Sequence, residues 1–139
     1  MEIEAVSFIE YLEAVEIHFE LMRRYGETRI GIFERNLIES ALARLKHEAI
    51  YENADIIHQA AMLCFGLIKN HPWQGGNKRT ATALTDSFLY RNGFELNASR
   101  DEIIELSLNV EADHWKVDEI ENWLRRRVEK INYNRRENE

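Results

Sequence analysis

The sequence is poor in the residues that interrupt helices. Its 139 residues include one proline and six glycines, where average usage would give roughly seven and ten. That scarcity excludes a collagen-like or linker-rich chain and favours long helices. The single cysteine, Cys64, cannot form an internal disulfide, so we expect a reducing, cytoplasmic setting.

Long apolar runs are absent as well. No stretch approaches the ~20 consecutive apolar residues of a membrane span, and the N-terminus lacks the basic-then-apolar pattern of a signal peptide. With 45% hydrophobic residues, the chain can nevertheless form a core, and its length is typical of one domain. We therefore expect no membrane partner, a folded domain over residues 1–131 and a polar, frayed tail over 132–139.

The charge is negative overall but unevenly distributed. The net charge of −7 opposes general binding to nucleic acid or anionic membranes. Within residues 69–91, however, basic residues outnumber the one acid: Lys69, Lys78, Arg79 and Arg91 against Asp86. We interpret this cationic segment as the place where an anion would bind. The basic run 125–127 has acids around it and is interpreted as a solvated helix face.

Apolar residues recur at helical spacing through nearly the whole chain. The stripes predict six helices, with apolar faces over residues 8–22, 37–45, 56–68, 81–88, 103–106 and 117–128. Capping boxes are predicted at Ser7 with Glu10 and at Ser99 with Glu102. The third helix should end before Pro72. The predicted fold is an all-α, compact single-domain bundle of about six helices, with a short β-friendly flap over 28–33.

The only proline and two adjacent glycines fall together between the two most apolar helices, in His71-Pro72-Trp73-Gln74-Gly75-Gly76-Asn77-Lys78-Arg79-Thr80. Adjacent glycines let successive backbone N–H groups face one point, and the helix that follows adds about half a positive charge. Lys78 and Arg79 oppose that helix dipole unless an anion lies between them. The segment therefore predicts a phosphate site, although its spacing is not that of a Walker loop. An ordinary helix connection with exposed cations fits the residues equally well.

His71 stands at the entrance to this loop. We expect Pro72 to hold it extended, within reach of a hydroxyl presented beside the phosphates, where an imidazole can accept a proton near neutral pH. Trp73 is predicted to point into the core. His18 is interpreted as a surface or helix-packing residue. The segment 47–51 lacks the second histidine of a zinc-protease helix, so metal hydrolysis is not expected.

The segment 71–80 resembles the signature of the Fic/Doc family, His-Pro-Phe-x-Asp/Glu-Gly-Asn-Gly/Lys-Arg. The similarity extends from about Phe8 to Val128 and includes Tyr25-Gly26 before the flap, Gly31, and the helix end over 88–93. Lys78, where most adenylyl-transferring members have glycine, is similar to the Doc (death-on-curing) toxin branch.

The resemblance implies a transferase that uses a nucleoside triphosphate such as ATP. Most members attach AMP to a protein hydroxyl, whereas the Doc branch is thought to transfer the terminal phosphoryl group to translation elongation factor Tu. His71 would be the general base on the target Ser or Thr. The phosphates would be held by Gly75, Gly76, Asn77, Lys78 and Arg79. The target would pair by strand addition with a flap that contains Arg29, Ile30, Gly31 and Ile32.

The resemblance also implies a cognate antitoxin as a protein partner. Direct contact with nucleic acid is not expected, because the net charge is negative. Some members are shut off by a helix reading Ser/Thr-x-x-x-Glu-Gly/Asn, whose glutamate pairs with the last arginine of the signature. Ser107 and Glu111 have this spacing, but Ala112 follows. In so acidic a chain we interpret the match as a chance one.

Two positions depart from the family signature. Trp73 replaces phenylalanine, which affects packing. Gly75 stands where the family has Asp or Glu, the residue that helps to hold Mg²⁺, and no acid lies within residues 69–85. Mg²⁺ prefers carboxylate and phosphate oxygens, so its usual ligand is missing. Bound Mg²⁺ would then be carried by the phosphates of the nucleotide, or the substrate is a different phosphate-containing molecule. The alternative is a degenerate member that binds nucleotide or partner protein with little catalysis. A nucleic-acid-associated helical protein is a weaker alternative, because the cationic segment is small.

Overall fold

The structure is a computed structural model that describes residues 6–132. Within them the chain forms six helices and two short strands. In chain order these are α1 (Tyr11–Arg24), α2 (Arg35–Tyr51), α3 (Ile56–Asn70), α4 (Asn77–Arg91), β1 (Phe94–Leu96), α5 (Arg100–Glu111), α6 (Val117–Arg125) and β2 (Val128–Lys130). The prediction of an all-α fold is confirmed.

Helix α3 lies at the centre of the bundle and packs against α2, α4, α5 and α6. Its wide apolar stripe is buried, including Leu63, Leu67 and Ile68. Small residues such as Ala60 let the neighbouring helices approach closely. Cys64 is also buried, and that burial raises the pKa of its thiol to about 12. The cysteine is therefore a core residue that stays protonated at neutral pH.

Local sequence explains most helix boundaries. The Asp55 carboxylate accepts a hydrogen bond from the His58 N–H at the start of α3, and α3 ends at Asn70, as the position of Pro72 predicts. The capping box of Ser99 and Glu102 begins α5, as predicted.

The start of α1 differs from the prediction. The helix begins at Tyr11, and the Glu13 carboxylate accepts a hydrogen bond from the Glu10 N–H. Ser7 is not a cap, because its backbone exchanges hydrogen bonds with the side-chain amide of Asn92 at the end of α4. A tertiary contact has replaced the local one that the sequence suggests.

The end of the sixth helix also differs. Helix α6 stops at Arg125, and Val128, which the stripe placed in the helix, lies in β2. Strand β2 pairs antiparallel with β1, so that Val128 is opposite Leu96 and Lys130 is opposite Phe94. Strands of three residues are too short for an alternating pattern to reveal them.

Two arginines of the basic run after Trp123 form ion pairs at the partly exposed surface. Arg125 forms ion pairs with Asp55 and Glu121 at 2.8 and 2.7 Å, and Arg127 pairs with Glu102 at 2.7 Å. None of the helices within residues 6–132 is long and apolar enough to cross a membrane. Apart from Asn132, the predicted frayed tail lies outside the described residues.

Candidate functional site

A cavity of about 900 Å³ opens beside the loop that joins α3 to α4. One wall consists of this loop, the end of α1 and the flap, and includes Arg29, His71, Lys78 and Arg79. The facing wall comes from β1 and α5 and is largely apolar, with Leu96, Ala98, Ile103, Ile104 and Leu108. The volume of the cavity is within the usual range of small-molecule binding sites.

The loop is held in shape by Asn77, the first residue of α4. The side-chain amide of Asn77 accepts a hydrogen bond from the Trp73 N–H at 2.9 Å and donates one to the Trp73 carbonyl at 3.1 Å. Gly76 caps the helix with φ = 63°, a left-handed conformation that glycine adopts without strain. The sequence assigns Asn77 to phosphate binding, and the structure shows its amide engaged in closing the loop.

His71 is the residue that directly follows α3. Its backbone is left-handed, with φ = 48° and ψ = 56°, so the prediction that Pro72 holds it extended is wrong. The left-handed turn ends α3 and reverses the chain, as a residue in this position commonly does. It also presents the imidazole to the cavity, where the side chain is 52% exposed.

Two cations in the first turn of α4 have neighbours from other elements. The Lys78 ammonium lies 2.9 Å from the Glu111 carboxylate at the end of α5, and the same carboxylate is 3.8 Å from Nε2 of His71. The hydrogen bond from Lys78, aided by the charges of nearby basic residues, lowers the pKa of Glu111. The Arg79 guanidinium lies 4.0 Å from the centre of the Tyr25 ring.

Glu111 is thus a site residue that the sequence interpretation dismissed. Its spacing from Ser107 was the available signal. The contact is with Lys78, however, and not with Arg79, the last arginine of the signature.

The predicted flap lies directly against the loop. The carbonyl of Gly31 accepts a hydrogen bond from the Gln74 N–H at 2.9 Å, and the Phe33 N–H donates to the Pro72 carbonyl at 2.9 Å. Ile32 and Trp73 form an isolated antiparallel bridge. Of the other predicted flap residues, Arg29 lines the cavity and Ile30 is partly buried.

His18 connects the flap to α4, a role that the sequence interpretation missed. Its ring is fully buried and stacks on Trp73, with the ring centres 4.2 Å apart. Nε2 accepts a hydrogen bond from the Gly31 N–H at 3.0 Å. The proton of the neutral ring therefore sits on Nδ1, which donates to the Thr80 hydroxyl at 2.9 Å.

Burial lowers the pKa of His18 to about 4, so the ring is neutral at physiological pH. The signal for its burial was the four-residue spacing from Ala14 to His18 to Met22, which places all three on one face of α1. Trp73 is buried, as predicted.

A comparison with known protein families shows to which family the chain belongs. The model of the Fic/DOC family matches residues 8–89, which is more than half of the chain. The chain belongs to the Fic/DOC family. Members commonly transfer nucleotide-derived groups to proteins. No curated protein matches the sequence.

The Fic/DOC match contains the flap, the loop and most of α4. Helix α5, which supplies Glu111, and the β1–β2 sheet lie beyond it. Assignment to the Doc branch stays a prediction.

Gly75, where the Fic/Doc signature has an acid, is in direct contact with the flap. A Cβ atom added there would lie 2.6 Å from the carbonyl oxygen of Arg29 and 2.8 Å from its Cβ. Both distances are well below van der Waals contact, and the nearer atom belongs to the backbone. An Asp or Glu at this position is therefore incompatible with the present position of the flap.

The remaining carboxylates do not replace the missing Mg²⁺ ligand of a Fic/DOC protein. Glu111 is paired with Lys78. Asp86 also lines the cavity, where burial and the charge of Glu95 raise the pKa of its carboxyl group. Within residues 6–132, no three His, Cys, Asp or Glu side chains are grouped so that they could hold a metal ion. With glycine at position 75 and Glu111 paired with Lys78, the residues present do not offer Mg²⁺ the carboxylate that the Fic/Doc signature supplies.

Proposed function

We propose that this Fic/DOC protein transfers a phosphoryl or adenylyl group from a nucleoside triphosphate such as ATP to a Ser or Thr hydroxyl of a target protein. The observation that supports this proposal most directly is that His71 lines the same cavity as Lys78 and Arg79. A base and an anion-binding surface therefore face one space, which is the arrangement that group transfer to a hydroxyl requires.

The phosphates would lie at the start of α4. The first N–H groups of a helix have no acceptor within it, and the helix dipole favours negative charge there. Lys78 and Arg79 add two full charges in the same turn. Phosphoryl transfer depends chiefly on positioning and charge neutralisation, so these groups supply much of what the reaction needs.

His71 would accept the proton of the target hydroxyl. As that oxygen bonds to phosphorus, the bond from phosphorus to the leaving phosphate oxygen breaks. The nearby Glu111 carboxylate, 3.8 Å from Nε2, would favour the imidazolium that results. The flap beside this histidine would dock the target segment by strand addition.

We further propose a Doc-like toxin of a toxin–antitoxin pair, with phosphoryl transfer to a translation factor such as elongation factor Tu. Lys78, the residue similar to the Doc branch, supports this narrower assignment. A cognate antitoxin would then be the natural inhibitor.

The test uses ATP labelled separately at its α and γ positions, with elongation factor Tu and with cell extract. We expect γ label on the target protein, lost in His71→Ala. His47→Ala is the matched control, because it removes an exposed histidine of α2 that does not line the cavity. Label from the α position would indicate adenylyl transfer. Folded protein that neither transfers label nor binds ATP would rule out the proposal.

One alternative has an observation in its favour. The absence of an acid at Gly75 supports a degenerate member that binds nucleotide or a partner protein with little catalysis. ATP binding by the wild type without transfer of either label would favour this alternative.

A further inference from the structure

Gly75, which lacks the acid of the Fic/Doc signature, is in contact with Arg29, a residue that carries a positive charge. The absent side chain at Gly75 leaves room for the Arg29 backbone, because even a Cβ there would come within 2.6 Å of the Arg29 carbonyl oxygen. The flap that carries Arg29 is fixed in this position by the Gln74 and His18 hydrogen bonds to Gly31. A side chain at position 75 and the flap in its present position therefore exclude each other.

The guanidinium of Arg29 is available to a ligand. Arg29 lines the cavity beside Lys78 and Arg79, and its side chain is exposed. Among the described residues its guanidinium forms no ion pair or hydrogen bond; only its backbone N–H is bonded, to Glu27 at 3.5 Å. Arginine binds phosphate through two parallel N–H groups and carries its charge at every physiological pH.

We infer that Arg29 takes the place of Mg²⁺ in this cavity, so that nucleotide phosphates bind here without a divalent cation. The inference rests on the proposed function, since it concerns how the same site neutralises its nucleotide. A dication held by one carboxylate contributes a net charge of +1, and so does one guanidinium. Glycine at position 75 and arginine at position 29 reproduce that net charge with protein groups alone.

The test measures ATP binding by calorimetry, once in EDTA and once with MgCl₂. We expect the wild type to bind ATP in EDTA with an affinity within about threefold of that in MgCl₂, whereas Arg29→Gln binds about tenfold more weakly in EDTA because a charge-assisted contact is lost. Gln keeps the Cβ and the backbone contact with Gly75. Arg23→Gln is the control: it removes the same charge from an exposed site at the end of α1 that does not line the cavity, and we expect less than about a twofold change.

A second variant separates charge from structure. Arg29→Lys keeps the positive charge, and we expect it to bind ATP in EDTA more tightly than Arg29→Gln does. Equal binding by these two variants would contradict the charge role of Arg29.

Three further outcomes overturn the inference. If the wild type binds ATP only with MgCl₂, the inference about Arg29 is wrong, but the proposed transferase function is not affected. Unchanged binding by Arg29→Gln in EDTA also removes the inference. No ATP binding in either buffer removes both the inference and the proposed function.

Discussion

The loop between α3 and α4 has two sides that are built differently. On the flap side, neutral groups in close contact hold it: buried His18 bonds Gly31 and Thr80 at 3.0 and 2.9 Å, and Gly75 touches the Arg29 backbone. On the α5 side, ionic contacts between partly exposed groups hold it, with Glu111 2.9 Å from Lys78 and 3.8 Å from His71.

The flap side therefore fixes the geometry of the loop, whereas the α5 side sets the charge around it. Buried hydrogen bonds and close packing resist any change of geometry, because an unpaired buried group or an overlap of atoms is costly. Exposed ion pairs contribute little to stability and are screened by salt. Changes on the flap side should therefore alter stability and local structure, whereas changes on the α5 side should alter ligand affinity and leave the fold intact.

Lowering the pH should reduce the stability of the protein, because His18 is neutral in the folded state. Its pKa is about 4 in the folded protein against about 6.5 in the unfolded chain. Its contribution to stability is therefore fully present above pH 6.5 and is lost as the pH falls towards 4. Between pH 7 and pH 5 we expect a loss of about 2 kcal/mol in the free energy of unfolding, measured by urea denaturation.

Two comparisons sharpen this pH test. His18→Phe keeps a stacked ring without a titrating group and should show a much smaller slope over the same range. His47→Gln, which changes an exposed histidine, should keep the wild-type slope. A flat wild-type profile between pH 7 and pH 5 would contradict the assigned state of His18.

Adding one methyl group at Gly75 should separate the flap from the loop. In Gly75→Ala the new Cβ overlaps the Arg29 carbonyl oxygen, so we expect a loss of about 1–3 kcal/mol in stability. The amide of Gln74, which bonds the Gly31 carbonyl, should exchange its hydrogen faster, as hydrogen-exchange mass spectrometry can measure.

Gly66→Ala is the matched control for Gly75→Ala. A Cβ at Gly66 would meet only Ala41, at the ordinary distance of 3.8 Å, and alanine favours a helix interior. We expect this variant to be at least as stable as the wild type. Equal effects of the two substitutions would mean that the contact with Arg29 is not the cause.

Removal of the charge at Glu111 should affect binding and not folding. Glu111→Gln releases Lys78 and makes the cavity more positive, so we expect ATP to bind up to about fivefold more tightly in a calorimetric titration. The effect should shrink at high salt. Glu105→Gln, which neutralises an exposed acid on α5 that does not line the cavity, should change affinity less. Weaker binding by Glu111→Gln would show that the carboxylate assists the site.

The smallest effect is expected at Trp73. Its indole N–H is buried without a hydrogen-bond partner among the described residues, which is unfavourable. Trp73→Phe introduces the residue of the family signature, removes that N–H and leaves a small void in its place. We expect these terms nearly to cancel, with a change within about 1 kcal/mol in urea denaturation. A larger loss of stability would show that the stacking of the indole on the His18 ring contributes substantially to the free energy of unfolding.

What the sequence predicts well is what short-range patterns encode. The apolar stripes locate the helices, and Pro72 marks the end of α3. Strands of three residues carry too short a pattern to be seen, which is why Val128 is misplaced in a helix.

The contacts that the sequence does not predict join distant positions. His18 meets Thr80 62 residues later in the chain, and Glu111 meets Lys78 across 33 residues. The local spacings that mark His18 for burial and Glu111 as a candidate do not reveal which distant residue each one contacts. The conformation of His71 is missed for a different reason, because a helix end permits a left-handed residue that general preferences before proline disfavour.

The hydrogen bonds from Gly31 to His18 and from His18 to Thr80 connect the surface proposed for the target segment with the surface proposed for the nucleotide. Gly31 belongs to the flap, and Thr80 lies in the first turns of α4. A docked protein segment that displaces the flap would disturb the imidazole that also bonds Thr80 of α4. Linkage then requires the effect to be mutual: whatever factor the docked segment imposes on nucleotide affinity, bound nucleotide must impose on the docking of that segment.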